Sequence, residues 1–199
     1  MTSDDVQRMV TTAYDLLEQG EVDRAKQLFT NVVDSDENKK ARLGIALCAY
    51  ARKDYMLSLM QLQNLVEDDP DYAEVYNLCG LISRDMGDLV GARGFFILAI
   101  EKSPVLVEAQ FNYGNILLDL EDYDNGVAVL VKILEQHPEH VPTLVRMSEL
   151  YFEIGKHESA LLYLGQALKY NPANAAALKI FDNLQTSIEL TDSIILGSL

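Results

Sequence analysis

His137, Pro138, Glu139 and His140 put two imidazoles and a carboxylate within one turn, donor types that a zinc ion accepts. The turn bridges two helical stretches and no cysteine or further histidine stands beside it, so the set falls short of a four-ligand site. The segment GDLVGARG, Gly87 to Gly94, has the glycine density of a phosphate-cradling loop. Its glycines interrupt a turn and a helix rather than joining a strand to a helix, and the chain contains no GxxxxGK[ST] run. The 31 acidic residues spread along helices as solvated faces, with no Ser, His or Cys arrangement suited to nucleophilic attack. Cys48 and Cys79 fall at packed helical positions and read as small buried hydrophobes, with no disulfide framework implied. The expectation is a protein without catalysis, cofactor or metal.

The elements that would carry these residues are set by a period. Pro70, Pro104, Pro138 and Pro172 stand 34 residues apart, the repeat length of helical hairpins. Small residues follow the same step: Ala46, Gly80, Gly114 and Ser148 form one column, with Ala13 one residue out of register. Ala25, Ser58, Ala92, Gly126 and Ala160 form another. Such columns let paired helices approach closely. Bulky columns flank them, Leu62, Phe96, Leu130 and Leu164 in one and Leu65, Ala99, Ile133 and Ala167 in the next, continued upstream by Phe29 and Val32. Gly87-Asp88-Leu89, Glu121-Asp122-Tyr123 and Gly155-Lys156-His157 break each unit midway, as a helix–turn–helix requires. Each unit reads helix, turn, helix, and the whole reads as a solenoid.

The stretch AEVYNLCGLISRDMGDLVGARGFFILAIEKSP, with Tyr76, Gly80, Gly87, Ala92, Phe96, Ala99 and Pro104, resembles the tetratricopeptide repeat family. The resemblance covers nearly the entire chain. It implies an all-α, right-handed superhelical solenoid of helical hairpins in a single domain over 1–199. The repeats run about 5–38, 39–72, 73–106, 107–140 and 141–174, with a capping helix and tail over 175–199. Departures gather in the first two units, where Glu37 replaces the terminal proline, Arg42 replaces the large aromatic and the junction is one residue short. In the capping helix, Ala177, Leu178, Phe181, Leu184 and Ile188 share one side and are expected to cover the last hairpin.

Charge narrows the partner. Acidic residues outnumber basic ones 31 to 16, a formal net charge of −15 that repels phosphate backbones, so nucleic acid is not expected. The start, MTSDDVQRM, lacks the basic and apolar runs of a secretory signal, and no stretch has the apolar length of a membrane span. A cytoplasmic setting is expected, with a protein or peptide partner whose segment is apolar and basic.

In the family that these residues resemble, the first helix of each hairpin lines the concave surface. The stripe facing it in the third unit is Asn77, Leu81, Arg84 and Asp85, at i, i+4, i+7 and i+8 on one helical face. Its equivalents include Val10, Tyr14 and Leu17, then Leu43, Leu47 and Tyr50. In the later units they are Phe111, Asn115, Leu118 and Asp119, then Val145, Glu149, Phe152 and Glu153. With Glu108 these form an apolar, aromatic stripe whose acids gather toward the carboxyl-terminal half, suited to a segment with apolar anchors and nearby Lys or Arg. The clamp by which some relatives grip acidic chaperone tails is broken. Asn112 and Arg146 match two of its places, but Asn77, Leu81 and Pro142 stand at the others. Two alternatives are a self-assembling scaffold, a homo-oligomer built through the apolar tail TDSIILGSL (Thr191 to Leu199), and a secretion-type chaperone for an aggregation-prone client.

Overall fold

A computed structural model describes residues 2–33 and 39–197, with side chains for all of these except 33 and 187–197. The described residues form eleven α-helices and no strand. They are α1 (Ser3–Glu18), α2 (Val22–Val33), α3 (Lys39–Ala51), α4 (Tyr55–Asp68), α5 (Ala73–Asp85), α6 (Leu89–Lys102), α7 (Val107–Asp119), α8 (Tyr123–Gln136), α9 (Val141–Glu153), α10 (His157–Tyr170) and α11 (Ala175–Gly197). This is the all-helical hairpin repeat that the 34-residue period predicts. The chain divides into two compact units, Met1–Ile116 and Leu117–Leu199.

The turns inside the hairpins share one chemistry. Gly20, Lys53, Gly87, Glu121 and Gly155 all adopt left-handed backbone, at φ of 79°, 61°, 87°, 64° and 71°. At Gly87 the amide donates to the Arg84 carbonyl at 2.9 Å and the next amide, of Asp88, to the Ser83 carbonyl at 2.9 Å. Lys53 and Glu121 close their helices in the same pattern, which satisfies carbonyls left open in the last turn. Asp54 and Asp88 then accept from the amides of Leu57 and Gly91 and start the second helices. At Gly91 the Asp88 carboxylate lies over the space of a missing Cβ, 2.1 Å from where it would stand, whereas the equivalent cap at Asp54 takes Leu57 in that place. Each periodic proline lies two residues past the end of a second helix, where it opposes continuation of that helix.

Within a hairpin, the small columns meet. A Cβ on Gly80 of α5 would stand 2.5 Å from the Phe96 ring of α6, so glycine is what admits the phenylalanine. In other hairpins the facing residues are Ala46 with Leu62 and Ser148 with Leu164: a slightly larger small residue faces a smaller large one. Where a column residue is serine, its hydroxyl is buried but satisfied. Ser58 Oγ donates to the Ala46 carbonyl at 2.8 Å, and Ser148 Oγ to the Ala160 carbonyl at 2.9 Å.

Among the described residues, the first unit has buried clusters in succession. One joins Val10, Ala13, Ala25, Phe29, Val32, Ala41 and Cys48. The next centres on Leu43, Ala46, Leu62, Leu65, Val75, Leu78 and Ile82, and the third on Ala92, Phe96 and Ile116. In the second unit α9, α10 and α11 share Leu144, Ala160, Leu164, Ala167, Ala177, Ile180 and Leu184. The covered face of α11 is thus Ala177, Ile180 and Leu184, whereas Leu178 and Phe181, expected on it, are 42% and 37% exposed. One period earlier, at the equivalent places, Leu144 and Met147 are buried. Here α11 runs on as a single helix to Gly197. The side chain of Ile188 and those of Thr191 to Leu199 lie outside the described residues. No helix of the described residues is long and apolar enough to cross a membrane.

Three expectations follow. Gly80→Ala is destabilised by about 1–3 kcal/mol through overpacking, and Phe96→Leu introduced with it restores part of the loss; denaturant unfolding of the double-mutant cycle reads this coupling. Glu121→Gly, which removes a side chain from left-handed backbone, gains about 0.5–1 kcal/mol in the same measurement. Cys48 and Cys79 are buried, and burial pushes both thiols up to about 11. The folded state therefore holds protons that the unfolded chain releases from about pH 9, so their contribution to stability is present below that pH and is lost as pH rises toward 11. Native protein should react with a disulfide thiol reagent only at the rate of unfolding; fast stoichiometric labelling without denaturant contradicts this burial.

Candidate functional site

The first unit contains a cavity of about 470 Å³ whose walls come from first helices of successive hairpins. Val10 and Tyr14 of α1, Leu43 and Leu47 of α3, and Leu78 and Leu81 of α5 supply apolar surface. Tyr72 before α5 and Leu106 before α7 extend it. Asp15, Glu74 and Glu108 bring three carboxylates to the same lining against one ammonium, Lys40; Gln7, Thr11 and Asn77 complete it. Leu43 and Leu78 are buried and form the floor, while Leu47, Leu81 and Tyr14 are half-buried.

The polar groups are partly committed to the protein itself. Tyr14 donates its hydroxyl to the Lys40 carbonyl at 2.8 Å and meets Phe29 edge to face, with centroids 5.0 Å apart. Burial, with Glu74 adding to it, pushes the Tyr14 phenol up to about 12; burial also raises Tyr72. Asn112 of α7 donates its amide to Asn77 Oδ1 at 2.9 Å, tying together two neighbouring first helices.

Of the residues expected to face a partner, Tyr14, Leu47, Asn77, Leu81 and Glu108 line this one cavity. Tyr50, Arg84 and Asp85 form a separate cluster. The Tyr50 hydroxyl donates to Asp85 Oδ2 at 2.8 Å and Arg84 binds Oδ1 at 3.0 Å, so the carboxylate is already held twice. Burial, and then the bond to Asp85, pushes Tyr50 up to about 12. Phe111 and Asn115 are half-buried on α7. In the second unit Leu118 and Val145 are only 4% and 7% exposed, so their side chains are covered by the protein. Phe152 stacks on the His157 ring at 5.8 Å, Glu149 accepts from Arg146 at 3.2 Å, and Asp119 and Glu153 are exposed.

The sequence reading missed Lys40, Glu74, Tyr72 and Leu106. Their signal was present: Lys40, Glu74 and Glu108 are one column of the 34-residue period, and Tyr72 and Leu106 are another. Both lie at the start of the first helices, one turn before the stripe that was followed. Elsewhere, His140 Nδ1 lies 2.7 Å from Thr143 Oγ1, and His137 Nδ1 lies 4.0 Å from Glu139. Among the described residues no group of three His, Cys, Asp or Glu side chains is placed to hold a metal ion.

Comparison with known proteins agrees with this architecture. Models of the tetratricopeptide repeat match residues 10–59 and 117–180. The chain is 30% identical over 95 residues, 46% of its length and 9% of the relative's, to the protein CTR9 homolog of Arabidopsis thaliana. It is 27% identical over 156 residues, 74% of its length and 16% of the relative's, to the probable N-acetylglucosaminyltransferase SPINDLY of Hordeum vulgare. It thus spans a small part of such curated relatives. Among solved structures, a thermophilic tetratricopeptide repeat protein of Thermus thermophilus has a TM-score of 0.76 at 19% identity, covering 92% of this chain and 98% of its own. PilF of Pseudomonas aeruginosa has a TM-score of 0.69 at 16% identity, covering 96% and 87%. The period, the glycine and proline positions, the paired helices and these matches together make the chain a member of the tetratricopeptide repeat family.

Proposed function

We propose that this protein is a non-catalytic adaptor that holds an apolar, basic segment of another protein against its first helices. The observation that carries the reading is the cavity between α1, α3 and α5, where an apolar floor is bordered by Asp15, Glu74 and Glu108. An apolar side chain of the partner leaves water on that floor, and a neighbouring Lys or Arg meets the carboxylates. Two such anchors at about 2 kcal/mol each carry most of the binding energy of a micromolar complex. YrrB, a solved tetratricopeptide repeat protein of similar fold (TM-score 0.57, 18% identity), is described as having an unusual peptide-binding site, which makes peptide capture a use that this fold supports.

The test is selection from a displayed random-peptide library on the purified protein and on Leu47→Glu and Leu81→Glu variants with unchanged helical circular dichroism. Wild type should enrich sequences pairing a bulky apolar residue with Lys or Arg, and both variants should lose that consensus with at least about a tenfold drop in affinity for the selected peptide. Charge reversal at Glu74 should weaken binding more at low salt than at high salt. Failure to enrich any consensus, or a consensus that survives both variants, sinks the reading.

A further inference from the structure

The charges that border the cavity stand in a fixed order. Lys40, Glu74 and Glu108 occupy one column of the 34-residue period, each as the second residue of its helix, α3, α5 or α7. Gln7 of α1 belongs to the same column once the short first junction is counted. All four line the cavity. Across the first helices the row therefore reads uncharged amide, cation, carboxylate, carboxylate. Asp15 of α1, which also lines the cavity, stands eight residues beyond Gln7, about two turns along that helix and outside the row.

Glu74 and Glu108 have a local reason, because the positive end of the helix dipole favours a carboxylate in the first turn. Lys40 has none. It puts a cation where the dipole disfavours one, and α3 carries no acid in its first turn. Its neighbours Lys39 and Arg42 pair with Asp69 and Asp68. Among the described residues, however, Lys40 pairs with no carboxylate, and Glu74 and Glu108 pair with no cation. All three are exposed. A row of uncommitted charge, reversed in sign once against the preference of the helix, is complementary to an ordered set of charges from outside.

The spacing of the row selects a conformation. Neighbouring first helices are bonded to each other through Tyr14 to the Lys40 carbonyl, Tyr50 to Asp85 and Asn112 to Asn77, and helices in such contact lie about 8–10 Å apart. A polyproline-II segment has about three residues per turn and rises about 3.1 Å per residue, so side chains three apart share one side at a step of about 9 Å. Unfolded chains already favour this conformation, which keeps the entropy lost on capture small. We infer that the partner segment crosses α3, α5 and α7 in this form, with an acidic residue at Lys40 and Lys or Arg about three and six residues away, at Glu74 and Glu108, an inference that rests on the adaptor reading. The intervening residues supply the apolar anchors for the floor at Leu43, Leu47 and Leu81. Affinity then comes from the floor and register from the row, since exposed charge pairs discriminate more than they bind.

A displayed random-peptide library, selected on the full chain and on Lys40→Glu, Glu74→Lys and Glu108→Lys variants with unchanged helical circular dichroism, tests the row. Wild type should enrich one acid and two bases at steps of about three residues, with the acid at one end. Each variant should reverse the preferred charge at a single peptide position: the end acid for Lys40→Glu, the middle base for Glu74→Lys, the far base for Glu108→Lys. Against the wild-type peptide each reversal should lower affinity about threefold, regained when the peptide carries the opposite charge at the matching position. The ordered row is overturned, and the adaptor reading left standing, by an apolar and basic consensus in which the variants shift no position or all shift the same one. Reversals spaced about seven residues apart, the step of a bound α-helix, overturn it equally. A library that enriches no consensus overturns both.

Discussion

The close approach of two helices inside each hairpin is the constraint on which the rest of this structure depends. It exists where a residue without bulk faces one with it: Gly80 against Phe96, where any side chain would fall inside van der Waals contact. Close approach fixes the position of the second helix, and the second helix with its proline-marked end fixes where the next first helix begins. The apolar surface lining the cavity is a consequence, because first helices held at a regular step leave space between their outward stripes. A change that spreads one hairpin therefore acts at the cavity without touching a residue that lines it.

The same constraint explains which parts of the fold were legible before the structure. Helix pairs, their turns and their order follow from positions that tolerate few residue types. A left-handed turn prefers glycine, a helix junction accepts proline, and a helix–helix contact accepts Gly, Ala or Ser. Lys53 and Glu121 show that even these rules bend, since both take the left-handed conformation that glycine takes in the other three turns. There the two amides that close the helix hold the backbone in place. What was not legible was the division of a helical face between packing and exposure. Leu118 and Val145 fall on the same periodic stripe as Leu47 and Leu81, yet the first two are buried and the others half-buried. Periodicity assigns a residue to a face; only the neighbouring element decides how far that face is covered. The same holds for α11, where Leu178 and Phe181 repeat the places of the buried Leu144 and Met147 yet are themselves partly exposed.

Charge is distributed in a way that separates the surfaces of the first unit. Acids come to the cavity in the column of Glu74 and Glu108, and they cap helices at Asp54 and Asp88, where a carboxylate satisfies free amides and opposes the positive end of the helix dipole. Lys39, Arg42 and Lys102 pair with Asp69, Asp68 and Asp71 at the junctions between hairpins. These pairs are exposed and each contributes little alone. They neutralise the junction acids locally, while the cavity carboxylates outnumber the single Lys40 beside them.

The hydrogen-bonding groups of the cavity point to the chemistry of an occupant more sharply than its net charge does. Tyr14 has a donor, but that donor is spent on the Lys40 carbonyl within the protein. Asn77 has an acceptor, but it takes the amide of Asn112. What the lining offers outward is dominated by the carboxylates of Asp15, Glu74 and Glu108, which when ionised only accept. An acceptor-rich border around an apolar floor disfavours an acidic segment twice, through repulsion and through acceptors facing acceptors. A segment with an exposed run of backbone amides, or with a guanidinium or ammonium next to its apolar anchor, would supply donors to a border where three carboxylates stand against the single ammonium of Lys40. Desolvating the floor then strengthens those charge-assisted bonds at its edge. Under the proposed function, apolar burial and charge pairing would be parts of one binding event, and a segment that provides only one of them would forfeit much of the other.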